Sequence, residues 1–369
     1  KEVSFDEVMT ADFIVSPFDG GDGTTGNPFE VATARQLQKI DDFPGDDFVQ
    51  TQDIDASNTA SWNGGRGFLP IGKGRSFTGS FDGNGHEIVG LTIDVSALER
   101  EVDTLGVFGV VEEGTVKDVI LRDMEMKGGS GPAGMLVGIN QGGEIEGAFV
   151  EGTLTETDRA GGLVGLNTGA VRSSETSVNL NGVGRGSGGL VGTNGRRRPQ
   201  RTGSISTSVS TGDVTGVSSL GGLVADNAEG STIRNSRATG NVQATGDGDN
   251  NRISAGGLVS FNGGTIHASM STGNVTASPE KQGRVGGLAS VNSGLIRRSQ
   301  ASGDVKASGS AVGGLVGINR EDIRRSKATS AVEVTVGSGQ SSEGKGGGLV
   351  GNMRPGFESF ASVSGSYAT

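Results

Sequence analysis

Apolar residues along the chain fall in runs of two to four that are closed by glycine, not in the three-and-four spacing of a helix face. The commonest run is Gly-Leu-Val-Gly or a near copy, with its leucine at Leu136, Leu163, Leu190, Leu223, Leu258, Leu288, Leu315 and Leu349. Successive leucines are 27, 27, 33, 35, 30, 27 and 34 residues apart. Four residues on stands an asparagine, at Asn140, Asn167, Asn194, Asn227, Asn262, Asn292 and Asn319; the last copy has Met353 in that slot. A second half-motif follows, an aliphatic residue with serine three later. It reads Val171/Ser174, Ile205/Ser208, Ile233/Ser236, Ile266/Ser269, Ile296/Ser299 and Ile323/Ser326. Beyond each serine usually comes glycine, then Asp or Asn, then valine, as in Gly212-Asp213-Val214, Gly240-Asn241-Val242, Gly273-Asn274-Val275 and Gly303-Asp304-Val305.

Glycine at this density opposes helix, since each Gly costs about 1 kcal/mol against Ala there. The alternating β-branched positions of the second half-motif favour strands. A unit of about 27 residues supplies three short strands and three tight turns, one triangular coil. The pattern therefore predicts an all-β fold, a right-handed parallel β-helix with three sides and coils of about 27–35 residues. Coils would stack about 4.8 Å apart, with leucine on leucine inside and asparagine on asparagine at a corner. Asparagine suits a corner twice over: its amide bonds to its neighbours, and it tolerates left-handed backbone. Extra residues gather after Gly182, Arg196, Thr245 and Gly337, which predicts loops there.

The strings Gly161-Gly162-Leu163-Val164-Gly165 and Gly313-Gly314-Leu315-Val316-Gly317, each with its asparagine, resemble the GLUG motif of bacterial and archaeal surface proteins and of non-catalytic parts of immunoglobulin A peptidases. The resemblance covers about residues 100–352. The lead-in resembles that of such proteins too, through Asp53-Ile54-Asp55, Pro70-Ile71-Gly72 and the run from Phe77 to His86. It implies a secreted, adhesin-like β-helix and does not imply protease activity.

Composition agrees with a solenoid. Glycine supplies 69 of 369 residues, and aromatics are 4%, too few to fill one spherical core. Nine of the 14 phenylalanines lie in residues 1–81 with Trp62. Residues 1–75 therefore read as an acidic, aromatic N-terminal cap with a short helix over 32–41 that leads into the first coils, and 76–369 as the β-helix. A cap would cover an otherwise open strand edge. The closing Ser366-Tyr367-Ala368-Thr369 resembles the start of a further repeat, which reads as a chain open or cut inside a coil and available to pair with another copy. Lys1 in place of Met reads as a processed or trimmed start.

Charge narrows the partners. Residues 1–60 hold 13 acids and 3 bases, a net of −10; the other 309 residues hold 29 acids and 28 bases, a net of −1. The coils thus read as a neutral rod. Arginine outnumbers lysine 22 to 9, which with the acidic cap fits a high-salt habitat. No basic domain invites nucleic acid, no apolar run is long enough to span a membrane, and no cysteine is present.

Candidate chemistry is sparse. His86 lies in a turn of the lead-in, and His267 in a repeat slot; neither has a local serine or a ligand cluster that would mark a triad or a zinc site. Catalytic carboxylates would stack on neighbouring coils, but Asp213 and Asp304 are separated by coils with Asn241 and Asn274. The turns at Asp247/Asp249 and Asp19/Asp22 resemble the start of a calcium loop without its closing glutamate. Calcium is accordingly the one candidate cofactor, and no other is expected. Asn274-Val275-Thr276 is a glycosylation sequon. After the aliphatic of each second half-motif come Arg172, Ser206, Arg234, His267, Arg297 and Arg324. In register these form a basic stripe, with Arg298 and Arg325 beside it and the Asp213–Asp304 ladder offsetting it. Arg234, His267, Arg297 and Arg324 are its candidate ligand-binding residues. The expected function is an extracellular, cell-surface adhesion scaffold, non-catalytic, whose partners are surface glycans or surface-layer proteins. A polysaccharide lyase or hydrolase and a self-assembling filament subunit are the alternatives.

Overall fold

The computed structural model describes residues 16–96, 104–246, 252–278, 282–335, 346–353 and 361–369. Within them the chain winds into a parallel β-solenoid of about nine turns, with a short helix near the N-terminus. One wall is a nine-stranded sheet in which Val137, Val164, Val191, Val224, Val259, Ala289, Val316 and Val350 lie in one column. A second is a twelve-stranded sheet whose buried column runs Phe48, Phe81, Val116, Ile145, Val171, Ile205, Ile233, Ile266, Ile296 and Ile323. The third stacks small residues, Thr176, Ser210, Ala238, Ser271, Ala301 and Ala328. All seven motif leucines from Leu136 to Leu315 are fully buried. The conversion from sequence repeat to structural column follows from the parallel pairing, in which equivalent residues must sit side by side.

Glycine after the serine half-motif is demanded by close approach. A Cβ on Gly240 would lie 1.9 Å from the Gly212 carbonyl oxygen, and Gly273 and Gly303 stand in the same relation to the coil before them. Extra residues fall outside this frame. Arg196–Arg197 and Gln200–Arg201 fold out as an antiparallel hairpin.

Among the described residues, parallel pairing begins at Phe29, which faces Phe48, and continues through Phe81; strands are therefore present well before residue 76. Helix α1 (Ala34–Lys39) is inserted between the first two strands and is shorter than the sequence expectation. Thr33 caps it, accepting from Gln36 N–H, while the Gln36 side chain accepts from Ala32 N–H. Leu37 and Ile40 point into a plug of packed rings that runs from Phe18 through Phe29, Phe43, Phe48 and Phe77 to Phe108.

Candidate functional site

Three side-chain ladders hold the corners. In the first, each buried asparagine donates its Nδ2–H to the Oδ1 of the next coil at 2.8–2.9 Å, from Asn140 through Asn167, Asn194, Asn227, Asn262 and Asn292 to Asn319. Aligned amides in a dry interior polarise one another, so the chain of bonds gains strength along its length. It starts abruptly: the position before Asn140 is Val111, and Asn140 Oδ1 is buried without a donor. None of the seven asparagines has left-handed backbone. That part of the sequence expectation is corrected; the amide hydrogen bonds, not the backbone angle, account for this residue.

The left-handed corner lies elsewhere, one residue after the stripe position, at Asp118, Gly147, Ser173, Thr207, Asn235, Ala268, Arg298, Arg325 and Gly365. Just beyond it runs the second ladder. Ser174, Ser208, Ser236, Ser269, Ser299 and Ser326 each accept, on Oγ, a backbone N–H from the preceding coil at 3.2–3.3 Å. Each hydroxyl donates to the carbonyl two residues earlier in its own coil. The serine spacing was visible in the sequence, but its role in bridging a gap in the backbone pairing was not.

The third ladder is exposed. Asn241 N–H donates to Asp213 at 2.7 Å, Asn274 N–H to Asn241 at 3.1 Å, and Asp304 N–H to Asn274 at 2.9 Å. Asp213 and Asp304 thus satisfy backbone donors and, among the described residues, form no ion pair with the arginines they were expected to offset. Asn274 and Thr276 of the sequon are exposed.

The outward column that ends at the left-handed corner is continuous: Asp82, Lys117, Glu146, Arg172, Ser206, Arg234, His267, Arg297 and Arg324. The stripe residues are therefore neighbours about 4.8 Å apart. Arg324 pairs with Asp322 and Arg172 with Glu144. His267 Nδ1 and Arg297 Nε are buried atoms without a hydrogen-bond partner. Beyond the corner, the next outward column adds Arg237 and Lys327. An open cleft of about 740 Å³ lies among Arg297, Arg298, Arg324, Arg325 and Ser362.

The same ridge changes sign along the rod. Its first coils present Asp82, Glu87, Asp118, Glu144, Glu146, Glu151 and Glu175 against Lys117, Arg122 and Arg172. Lys117 binds Asp82 at 2.8 Å, and Arg122 bridges Glu87 and Glu151 at 2.7 and 2.9 Å. The Asp82 hydrogen bond and charge hold the Lys117 ammonium above its usual pKa. The division is general: residues 1–175 hold 30 acids and 12 bases, a net of −18, and residues 176–369 hold 12 acids and 19 bases, a net of +7. The neutral-rod reading is corrected. The two signs cancel in the sum but not in space, because a solenoid lays sequence order out as distance.

Other candidates are quickly placed. Among the described residues no group of three or more His, Asp or Glu could hold a metal, and Asp247 and Asp249 lie outside the described residues. Asp22 binds the Thr24 hydroxyl and N–H, which hold its carboxyl below the usual value. His86 Nδ1 lies 3.3 Å from Asp53. A cleft of about 470 Å³ brings Asp47 and Glu113 to one lining. Burial pushes the Asp47 carboxyl up, but hydrogen bonds from Thr25 and Ser80 outweigh it and leave the group below its usual pKa. Such a group is ionised near neutrality and is no proton donor. No helix among the described residues is long and apolar enough to cross a membrane.

No protein-family model matches the chain. Over 167 residues, 42% of the chain, it is 37% identical to halomucin of Haloquadratum walsbyi, a match that covers 2% of that protein. Over 133 residues, 34% of the chain, it is 36% identical to a protein of Evansella cellulosilytica named as a Gly-rich membrane protein, covering 15% of its length. The chain thus spans a small fraction of the relatives it matches. Among solved structures it is similar to a chain named for an immunoglobulin A1 protease of Bacteroides ovatus, at TM-score 0.57 and 17% identity over 72% of this chain and 83% of that one. A second IgA1 protease structure matches at TM-score 0.51 and 16% identity, covering 84% of this chain and 22% of that one. At such identities the likeness concerns the solenoid fold alone.

Proposed function

We propose that this chain is a non-catalytic segment of an extracellular, cell-surface protein, a stiff spacer that attaches through its basic ridge to an acidic surface partner. The carrying observation is the in-register run Arg234, His267, Arg297, Arg324, flanked by Arg237, Arg298, Arg325 and Lys327, with Arg324 ion-paired to Asp322. Arginines at this spacing repel unless an anion lies across them, and their planar forks bind carboxylates in pairs. The matches to halomucin and to a protein named for the membrane support a surface setting.

Immobilised polygalacturonate, a uronate polymer, provides the test. The account expects salt-sensitive binding that falls at least about tenfold when Arg234, Arg297 and Arg324 are all replaced by alanine. Binding that survives the triple replacement overturns the ridge as the attachment surface. Release of new reducing ends from the polymer would instead favour the polysaccharide-processing reading, whose foothold is the Asp47–Glu113 cleft.

A further inference from the structure

We infer that the acidic partner of the basic ridge is the same ridge of a second copy of this chain, docked antiparallel about a two-fold axis near Ser206. The inference rests on the attachment reading above and names its partner. The column order itself suggests the axis. Four coils precede Ser206 with Asp82, Lys117, Glu146 and Arg172, and four follow with Arg234, His267, Arg297 and Arg324. A face that is acidic in one half and basic in the other is self-complementary under a perpendicular two-fold axis, the symmetry of the commonest dimers.

Counting coils outward from the axis pairs the residues. Glu175 of one copy meets Arg237 of the other, and Glu146 meets His267. Asp118 meets Arg298, Asp82 meets Arg324, and Glu87 meets Lys327. In the column beyond the corner, Phe149 meets Met270, an aromatic ring against a thioether. Asp118, Glu146 and Glu175 are exposed and, among the described residues, form no ion pair within their own chain. Asp118 and Glu175 fall opposite an arginine of the second copy, and Glu146 falls opposite the His267 imidazole. Against the arrangement stand Arg172 opposite Arg234 and Lys117 opposite Arg297. Arg172 and Lys117 are already neutralised by Glu144 and Asp82. Nine coils make a ridge about 40 Å long. A strip about 20 Å wide then covers roughly 800 Å² per partner, the size of an ordinary specific interface.

Sedimentation equilibrium of the full chain at about 0.1 mM protein tests the inference, at about 0.02 M salt and again at about 1 M, where screening falls to about 3 Å. Wild type is expected at twice the chain mass in low salt and to dissociate toward monomer in high salt. Glu175→Arg and Arg237→Glu, both exposed sites, should each weaken association at least about tenfold, because each contact occurs twice. The double swap Glu175→Arg/Arg237→Glu should restore it. Wild type that stays monomeric in low salt overturns the inference, as does a dimer indifferent to the single swaps or not rescued by the double. Circular dichroism checks that each variant keeps its β structure. Polygalacturonate binding separates the two readings. A monomer that binds the polymer through Arg234, Arg297 and Arg324 leaves the attachment reading intact without the dimer; a monomer that does not bind it loses both.

Discussion

From Phe48 to Phe108 the interior is filled by rings, with Phe48, Phe77, Phe81 and Phe108 all buried, and the matching outward ridge is knitted by Asp82–Lys117 and Glu87–Arg122–Glu151. From Leu136 onward the interior holds Leu, Val, Ile and Ala, and the corners hold continuous Asn and Ser ladders. Both regions keep the same three walls. The first is stabilised by contacts peculiar to each coil, the second by contacts that recur identically. The difference has a consequence for damage. A fault in the ring plug is local, whereas a fault in a ladder leaves a buried donor and acceptor unmatched on both sides.

The largest effect is expected in the plug. Phe108→Ala should cost about 4 kcal/mol of unfolding free energy, measured by urea titration, since it removes a fully buried ring in contact with Phe77 and Phe81. Asn227→Ala comes next, at about 3 kcal/mol, because Asn194 loses its acceptor and Asn262 its donor in the dry interior. A loss below about 0.5 kcal/mol there would remove the ladder from the account. The boundary between the regions can be moved. Val111→Asn adds a rung before Asn140 and should cost about 2 kcal/mol less than Val116→Asn, where no amide waits to be paired.

Much of this was legible because a parallel solenoid turns sequence spacing into contact. The leucine and asparagine intervals became columns without correction, and the insertion after Arg196 became a hairpin. Three things stayed hidden for physical reasons. The left-handed corner is occupied by residues as unlike as Thr207, Ala268 and Arg325, so no residue type announced it. Strand pairing from Phe29 lacks the glycine motif, since bulky rings there fill the interior without it. The ridge's change of sign vanished in a net charge taken over all 309 later residues.

Smaller effects sharpen the corner. Ala268→Gly should stabilise by about 1 kcal/mol, because alanine at φ 49° is strained where glycine is not. A drop in thermal midpoint would contradict this. The Asp322 carboxyl is held below its ordinary 3.8 by the Ser362 hydroxyl and then by Arg324. A carboxyl depressed in the folded state contributes stability that is full above pH 3.8 and is lost as pH falls through the lower folded value. Asp322→Asn should therefore flatten the acid limb of the stability curve below pH 3.8 and leave its slope near pH 7 unchanged.

The central claim is that stacking converts an uneven sequence into a rod with opposite charge at its two ends. Transient electric birefringence of the full chain at low ionic strength, diluted until it sediments as a monomer so that antiparallel pairs cannot cancel the axial dipole, measures this directly. The account predicts a large permanent dipole along the long axis, with the rotational decay of a rod, and a clear fall in that dipole when Arg297, Arg298, Arg324 and Arg325 are replaced by glutamine. A weak dipole indifferent to those replacements, or the decay of a sphere, would contradict it.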